Sequence, residues 1–212
     1  MEFNVRSAPL GAAPVASDSP NGQAFLLATN ACDGYRDAEA RIALDPDLVG
    51  DAERAKAKGK EQGTRFATVA DAERRLEGEE ADLSATIHRA RAAAHLDSPS
   101  VDPAIEVRAV SIRATFTSLS PSEKLQAVRA GSPEVLRAIY HSPDFGGQPA
   151  VDPKLKLAIE ERLLAGADPD RAAALAVRIE DNRRARHAVE RAKRYLGKAQ
   201  SIRERLVTNK GN

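Results

Sequence analysis

The chain has 212 residues, of which 42% are hydrophobic, 30% charged and 4% aromatic, with no Trp and a formal net charge of +1. A charge so near zero singles out no partner class. One cysteine, Cys32, excludes an internal disulfide and a multi-thiolate metal site. The length is enough to bury a core without staples. Much of the apolar content is alanine, so the expected core is thin, made of close helix contacts and completed by a neighbouring subunit.

No basic stretch followed by an apolar run opens the chain, so no signal peptide is expected. No apolar run approaches the roughly 18 residues that span a bilayer. The expectation is a protein made in the cytoplasm with no membrane span.

Residues 1–20 carry Pro9, Pro14 and Pro20 among Ala, Ser and Gly. They predict an extended arm that orders on a neighbour through Phe3, Val5, Leu10 and Val15, or else a disordered tail. From there one device recurs. Ser19-Pro20, Asp45-Pro46, Asp102-Pro103, Ser120-Pro121, Ser132-Pro133, Asp152-Pro153 and Asp168-Pro169 each set a capping oxygen before a proline. The oxygen can accept a free N–H of the first helical turn, and proline at the first position has no N–H to leave unpaired. Ser120 and Glu123 also match a capping box.

The first helix is expected from Pro20 to Leu44, with Phe25, Ala28, Cys32, Tyr35 and Ile42 on one face. The second is expected from Pro46 to Leu96, broken or kinked near Gly59 and Gly63. Its later part repeats every seven residues at Val69, Leu76, Leu83 and Ala90, beside a companion ladder of Ala72 and Ala93 that Glu79 and Thr86 interrupt. Residues 99–150 change character and predict a cap of short helices. Ile105, Ile112, Phe116 and Leu119 mark one, Leu125 and Val128 a second, and Val135, Leu136, Ile139 and Tyr140 a third.

A further helix is expected over Pro153–Leu164. The last rod, from Asp168 to Leu206, carries two seven-residue ladders: Leu175, Asn182, Val189 and Leu196, and Ala185, Ala192, Ala199 and Leu206. Such ladders make one apolar stripe, and alanine lets a partner backbone come close. Asn182 is the expected register pin, because a buried amide is costly in any other alignment.

The expected fold is therefore all-α. Long antiparallel helical rods form a hairpin or bundle, with a cap of short helices and an extended N-terminal arm. The expected divisions are an arm over 1–20, long helices over 21–98, the cap over 99–150, and C-terminal helices over 151–212 packing on 46–98.

Little in the chain suggests chemistry. His88, His95, His141 and His187 show neither zinc nor di-iron spacing. Asp144-Phe145-Gly146 lacks every other kinase element and is expected to be a loop turn with Phe145 tucked into the cap. No nucleophile elbow, phosphate-binding loop or dinucleotide fingerprint is present. No catalytic residue, cofactor or metal is expected.

Charge is unevenly distributed. Residues 182–212 hold ten Lys/Arg and two Asp/Glu, and residues 71–82 hold six acidic and two basic residues. One reading makes Arg183, Arg184, Arg186, Arg191, Lys193 and Arg194 candidate phosphate contacts for a nucleic-acid partner. The favoured reading lays the acidic stretch beside the basic one, where the charges select which helices pair.

The run Ser132-Pro133-Glu134-Val135-Leu136-Arg137-Ala138-Ile139-Tyr140-His141-Ser142-Pro143-Asp144-Phe145 is followed by a proline-capped helix and an Ala/Arg-rich rod. Together, over roughly the last third of the chain, they resemble small helical proteins encoded among the virion genes of tailed bacteriophages. That resemblance implies a non-enzymatic virion component: a connector, tail-associated or internal ejected protein. Its partners would be copies of itself and other structural proteins. The alternative is a nucleic-acid-associated helical protein using the basic C-terminal helix.

Overall fold

The computed structural model describes residues 18–97, 102–144 and 150–208, with side chains of the last stretch through residue 199. The described residues form seven helices and no strand: α1 (Pro20–Leu44), α2 (Asp51–Ala93), α3 (Pro103–Ser118), α4 (Pro121–Ala130), α5 (Pro133–Tyr140), α6 (Pro153–Ala167) and α7 (Pro169–Thr208). The arm residues Phe3, Val5, Leu10 and Val15, together with Phe145, lie outside the described residues.

Six of the seven Ser/Asp-Pro pairs start helices. Ser19 Oγ accepts the Gly22 N–H at 3.0 Å, Asp102 Oδ1 the Ala104 N–H at 2.9 Å, and Asp168 Oδ1 the Arg171 N–H at 3.0 Å. Ser120 and Glu123 close the capping box. The exception is Asp45-Pro46. Asp45 Oδ1 accepts the Asp47 N–H at 2.9 Å, which closes a side-chain turn and spends the cap before a helix can begin. So α2 starts at Asp51 rather than Pro46. It then runs unbroken through Gly59 and Gly63, contrary to the expected kink. Two helical glycines cost about 1 kcal/mol each, which the packing of the residues around them offsets.

The far end of α2 stops at Ala93, short of Leu96. His95 stands at φ 56°. The His95 N–H donates to Ala92 O and the Leu96 N–H to Arg91 O, and Leu96 is buried. This is a left-handed helix end of the type that glycine usually provides.

The helices sort into two compact units. One combines α1, α2 up to Leu83 and α7 from Arg178; the other is Ser84–Val177. In the first, the core is Ala24, Ala28, Ala31 and Tyr35 of α1, Val69, Ala72 and Leu76 of α2, and Ala185, Ala188, Val189, Ala192 and Leu196 of α7. Seven of these twelve are alanine, so the backbones approach closely and little apolar area is buried per residue. The face of α1 differs from expectation. Ala24, Ala31 and Ala38 are buried, while Phe25 and Cys32 are only partly so and pack at the edge. A bulky centre would hold the helices apart.

Polar groups join the three helices of this unit. Asn182 Nδ2 donates to Asn21 Oδ1 at 3.2 Å, and Asn21 Nδ2 donates to Glu79 Oε1 at 3.2 Å. Arg178 donates to both oxygens of Glu79, at 2.6 and 3.0 Å. Gln62, on the Val69 ladder, donates to Leu196 O at 2.6 Å and is buried.

The second unit's core joins Phe116 of α3, Val128 of α4, Leu136, Ile139 and Tyr140 of α5, and Ile159 and Leu163 of α6 with Ala94, Leu96 and Val151. Arg91 donates to the Tyr140 hydroxyl at 2.7 Å and pairs with Glu160 at 3.3 Å, and the hydroxyl donates to Glu160 at 3.2 Å. The α6 helix contacts α4 and α5, where Ile159 and Leu163 complete the short helices' core, and Glu160 also reaches Arg91 near the end of α2. The unit boundaries, after Leu83 and before Arg178, fall inside helices, since a helix can run through two cores.

Four substitutions probe this arrangement by thermal or urea melts. Glu79→Ala leaves the donors of Asn21 and Arg178 without their buried acceptor and should cost about 2–3 kcal/mol. Leu83→Asp should unfold the protein by burying an unpaired charge, whereas Arg194→Ala, whose side chain is 77% exposed, should stay within about 0.5 kcal/mol of the parent. Equal effects of the last two would reject the assigned face of α2. Gly63→Ala should stabilise by about 0.5–1 kcal/mol, because an added Cβ there meets nothing within 4 Å.

Candidate interaction surfaces

The basic stretch of α7 is largely occupied by carboxylates of the same unit. Arg186 donates to Glu80, with its Nη2 at 2.6 Å from Oε2, and Lys193 pairs with Glu73. Arg183 and Arg184 both hold Glu180, at 2.8 and 3.0 Å, and Arg194 meets Glu190 at 3.4 Å. Hydrogen bonds from Arg183 and Arg184 pull the Glu180 carboxyl down to about 2. Hydrogen bonds that Arg178 donates to Glu79 and Asp82 hold its guanidinium above its ordinary value. Of the six candidate phosphate contacts, only Arg191 forms no ion pair among the described residues. It lies close enough to Cys32 to oppose the rise that burial gives that thiol.

Apart from Arg178 with the buried Glu79, these pairs are solvent-accessible and individually weak. Their order along the helices is informative. Gln62 meets residue 196 and Glu73 meets 193, while Glu79 and Glu80 further on meet 178 and 186. Between residues 62 and 80 of α2 the partners move from the 190s of α7 to lower numbers. The signal for this was the opposite charge of residues 71–82 and 182–194, although charge counts alone could not name the individual partners.

A different surface lies on α3. Its inner side carries Ala109 and Phe116, both buried. At about 100° per residue, the opposite side presents Val107, Val110 and Ala114, flanked by Pro103, Ser111 and Ser118. All six are exposed, Val107 at 72% and Val110 at 56%. None carries charge, in a chain that is 30% charged. The helix's three charged side chains lie off this stripe: Glu106 pairs with Arg113, and Arg108 meets Glu134 at 3.8 Å.

Three hydroxyls of the helix are satisfied within it. Thr115 donates to Ser111 O at 3.0 Å, Thr117 to Arg113 O at 2.8 Å and Ser118 to Thr115 O at 2.8 Å. The side chains therefore turn methyl and methylene groups outward, and covering them strips water from few unsatisfied donors. Sequence periodicity singled out Ile105, Ile112, Phe116 and Leu119 as the apolar face. It missed this stripe because α3 is apolar on both sides.

The histidines do not converge. His88 meets Asp97 at 3.2 Å, and His141 Nε2 lies 3.4 Å from His95 O. Among the described residues no three His, Cys, Asp or Glu side chains are grouped as a metal site requires, and no helix is long and apolar enough to cross a membrane. No protein-family model, curated protein or solved structure matches the chain.

The occupancy of the basic helix has a measurable consequence. Six free phosphate contacts would give a slope near −5 in log K against log salt for duplex DNA, at about −0.9 per contact. With most of these side chains held by carboxylates, the expected slope is shallower than about −2. A steep slope in a salt-titrated mobility-shift experiment would show that DNA displaces the carboxylates.

Proposed function

We propose that this chain is a non-enzymatic structural part of a protein assembly, of the kind built into tailed-phage virions, acting through helix–helix contacts. It would be made in the cytoplasm and incorporated into a particle. The observation that carries the reading is the uncharged outer face of α3. A helix with both sides apolar fits a position between two partners, one of them its own unit's core. The resemblance of the last third of the chain to phage virion proteins supplies the virion context.

Within the chain, we infer that α2 and α7 lie antiparallel. The move of the α7 partners to lower numbers along α2 supports this. The nucleic-acid reading is the weaker alternative, because five of the six candidate side chains are already paired.

The outer face of α3 suits a second copy of itself. Its stripe is symmetric about the point between Val110 and Ser111. An antiparallel copy that sets Val107 against Ala114, large against small, sets Val110 against the mate's Ser111, beside the axis. A two-fold contact needs a self-complementary patch of this kind. A 16-residue helix is about 24 Å long. It offers less than the roughly 800 Å² per partner of a standard stable interface. The pairing should therefore be weak in dilute solution and firm where other contacts raise the local concentration.

Sedimentation equilibrium should show mass rising above 22.7 kDa toward a dimer at high micromolar concentration. Val110→Arg should abolish that rise while leaving the melting temperature unchanged, because Val110 is exposed and the two arginines would lie close together on either side of the axis. A parent chain that stays monomeric, or a Val110→Arg chain that still dimerises, would reject α3 as the contact. Detection of the chain in purified virions tests the particle assignment separately.

A further inference from the structure

The Ser84–Val177 unit contains a cavity of about 220 Å³ where α4 ends, α5 begins and α6 ends. Leu136 and Leu163 give it an apolar wall, and Gly131 and Gly166 leave it open. Arg137 and Arg162 also line it, and no acidic residue does. Both arginines are half-buried. Each donates one hydrogen bond to the end of a helix: Arg137 Nε to Ala94 O at 3.1 Å, and Arg162 Nη1 to Val128 O. Neither forms an ion pair among the described residues, whereas the arginines of α7 mostly do.

A guanidinium is always charged and carries five N–H donors. One bond to a carbonyl satisfies a helix end but leaves most of those donors unused. Helix capping needs one arginine per helix end and gives no reason for two to share one small cavity. Two like charges brought together beside leucine are unfavourable unless an opposite charge joins them.

We propose that this cavity binds a small organic monoanion. Its carboxylate sits between Arg137 and Arg162, and a short apolar body lies against Leu136 and Leu163. Guanidinium forks match carboxylate geometry, with two parallel N–H···O bonds available from each. The size restricts the ligand, since 220 Å³ is below the roughly 300–1,000 Å³ of sites for drug-sized molecules. A short aliphatic chain or a single ring fits that limit. Charge restricts it further. The last turn of α6 at Gly166 brings the negative end of a helix dipole to the same cavity, which favours one negative charge over the two of phosphate.

The test titrates the full chain with hexanoate, inorganic phosphate and hexylammonium, using calorimetry and chemical-shift changes at the arginine Nε–H groups. Hexanoate should saturate one site, phosphate should bind at least tenfold more weakly, and hexylammonium should not bind. Arg137→Gln and Arg162→Gln should each weaken hexanoate at least tenfold. Gly166→Leu keeps both arginines and fills the cavity. The Cβ it adds meets nothing within 4 Å, so the fold should tolerate it while hexanoate binding is lost. If an arginine variant unfolds, Gly166→Leu decides alone. Non-saturable hexanoate binding, equal binding of phosphate or hexylammonium, or saturable binding that survives Gly166→Leu would overturn the proposal and leave both arginines as helix caps.

Discussion

The arrangement of α1, α2 and α7 depends on one buried carboxylate. Glu79 is 6% exposed in its side chain and lies seven residues after the buried Ala72. An alanine-rich seam is smooth, so sliding one helix along another by a turn changes little in apolar contact. Moving a buried carboxylate away from its donors changes a great deal. Asn21 and Arg178 meet Glu79, and Asn182 meets Asn21, in only one alignment of the three helices. Close approach and exact register thus come from different residues: alanine allows the first, and the polar cluster sets the second.

The charged surface around that cluster works at longer range. Glu73 with Lys193 and Glu80 with Arg186 are individually weak, yet every pair agrees with the same alignment. Agreement among many small preferences narrows the competing arrangements even where it adds little stability. It also explains why a strongly basic helix need not be a nucleic-acid surface, since its charge is spent inside its own unit.

Short helices pose a different problem, because each end exposes unpaired backbone groups and few residues lie between the ends. The Ser84–Val177 unit handles the two ends by different means. Starts are handled locally, by a Ser or Asp oxygen and a proline. Stops draw on residues far along the chain, as when Arg137 reaches Ala94 O and Arg162 reaches Val128 O. That division brings two arginines to one cavity, and leaves α3 with a whole side that nothing in its own unit covers.

The sequence by itself determined the all-α class, six of the helix starts, and the inward series Val69, Leu76, Leu83 and Ala90 of α2 and Leu175, Asn182, Val189 and Leu196 of α7, whereas the expected Ala93 is exposed and the Leu206 side chain lies outside the described residues. Each of these rests on residues within a turn or two of one another: a cap with the N–H three residues on, or apolar side chains seven apart. Only the tertiary structure decided that Asp45-Pro46 closes a turn, that α2 passes straight through Gly59 and Gly63, that alanines rather than Phe25 and Cys32 face the core, and that α6 joins the short helices. It alone brought Glu79 to Asn21 and Arg178, and Arg137 to Arg162. Those outcomes are set by which surfaces meet across tens of residues, and a local pattern is equally compatible with several partners until packing selects one.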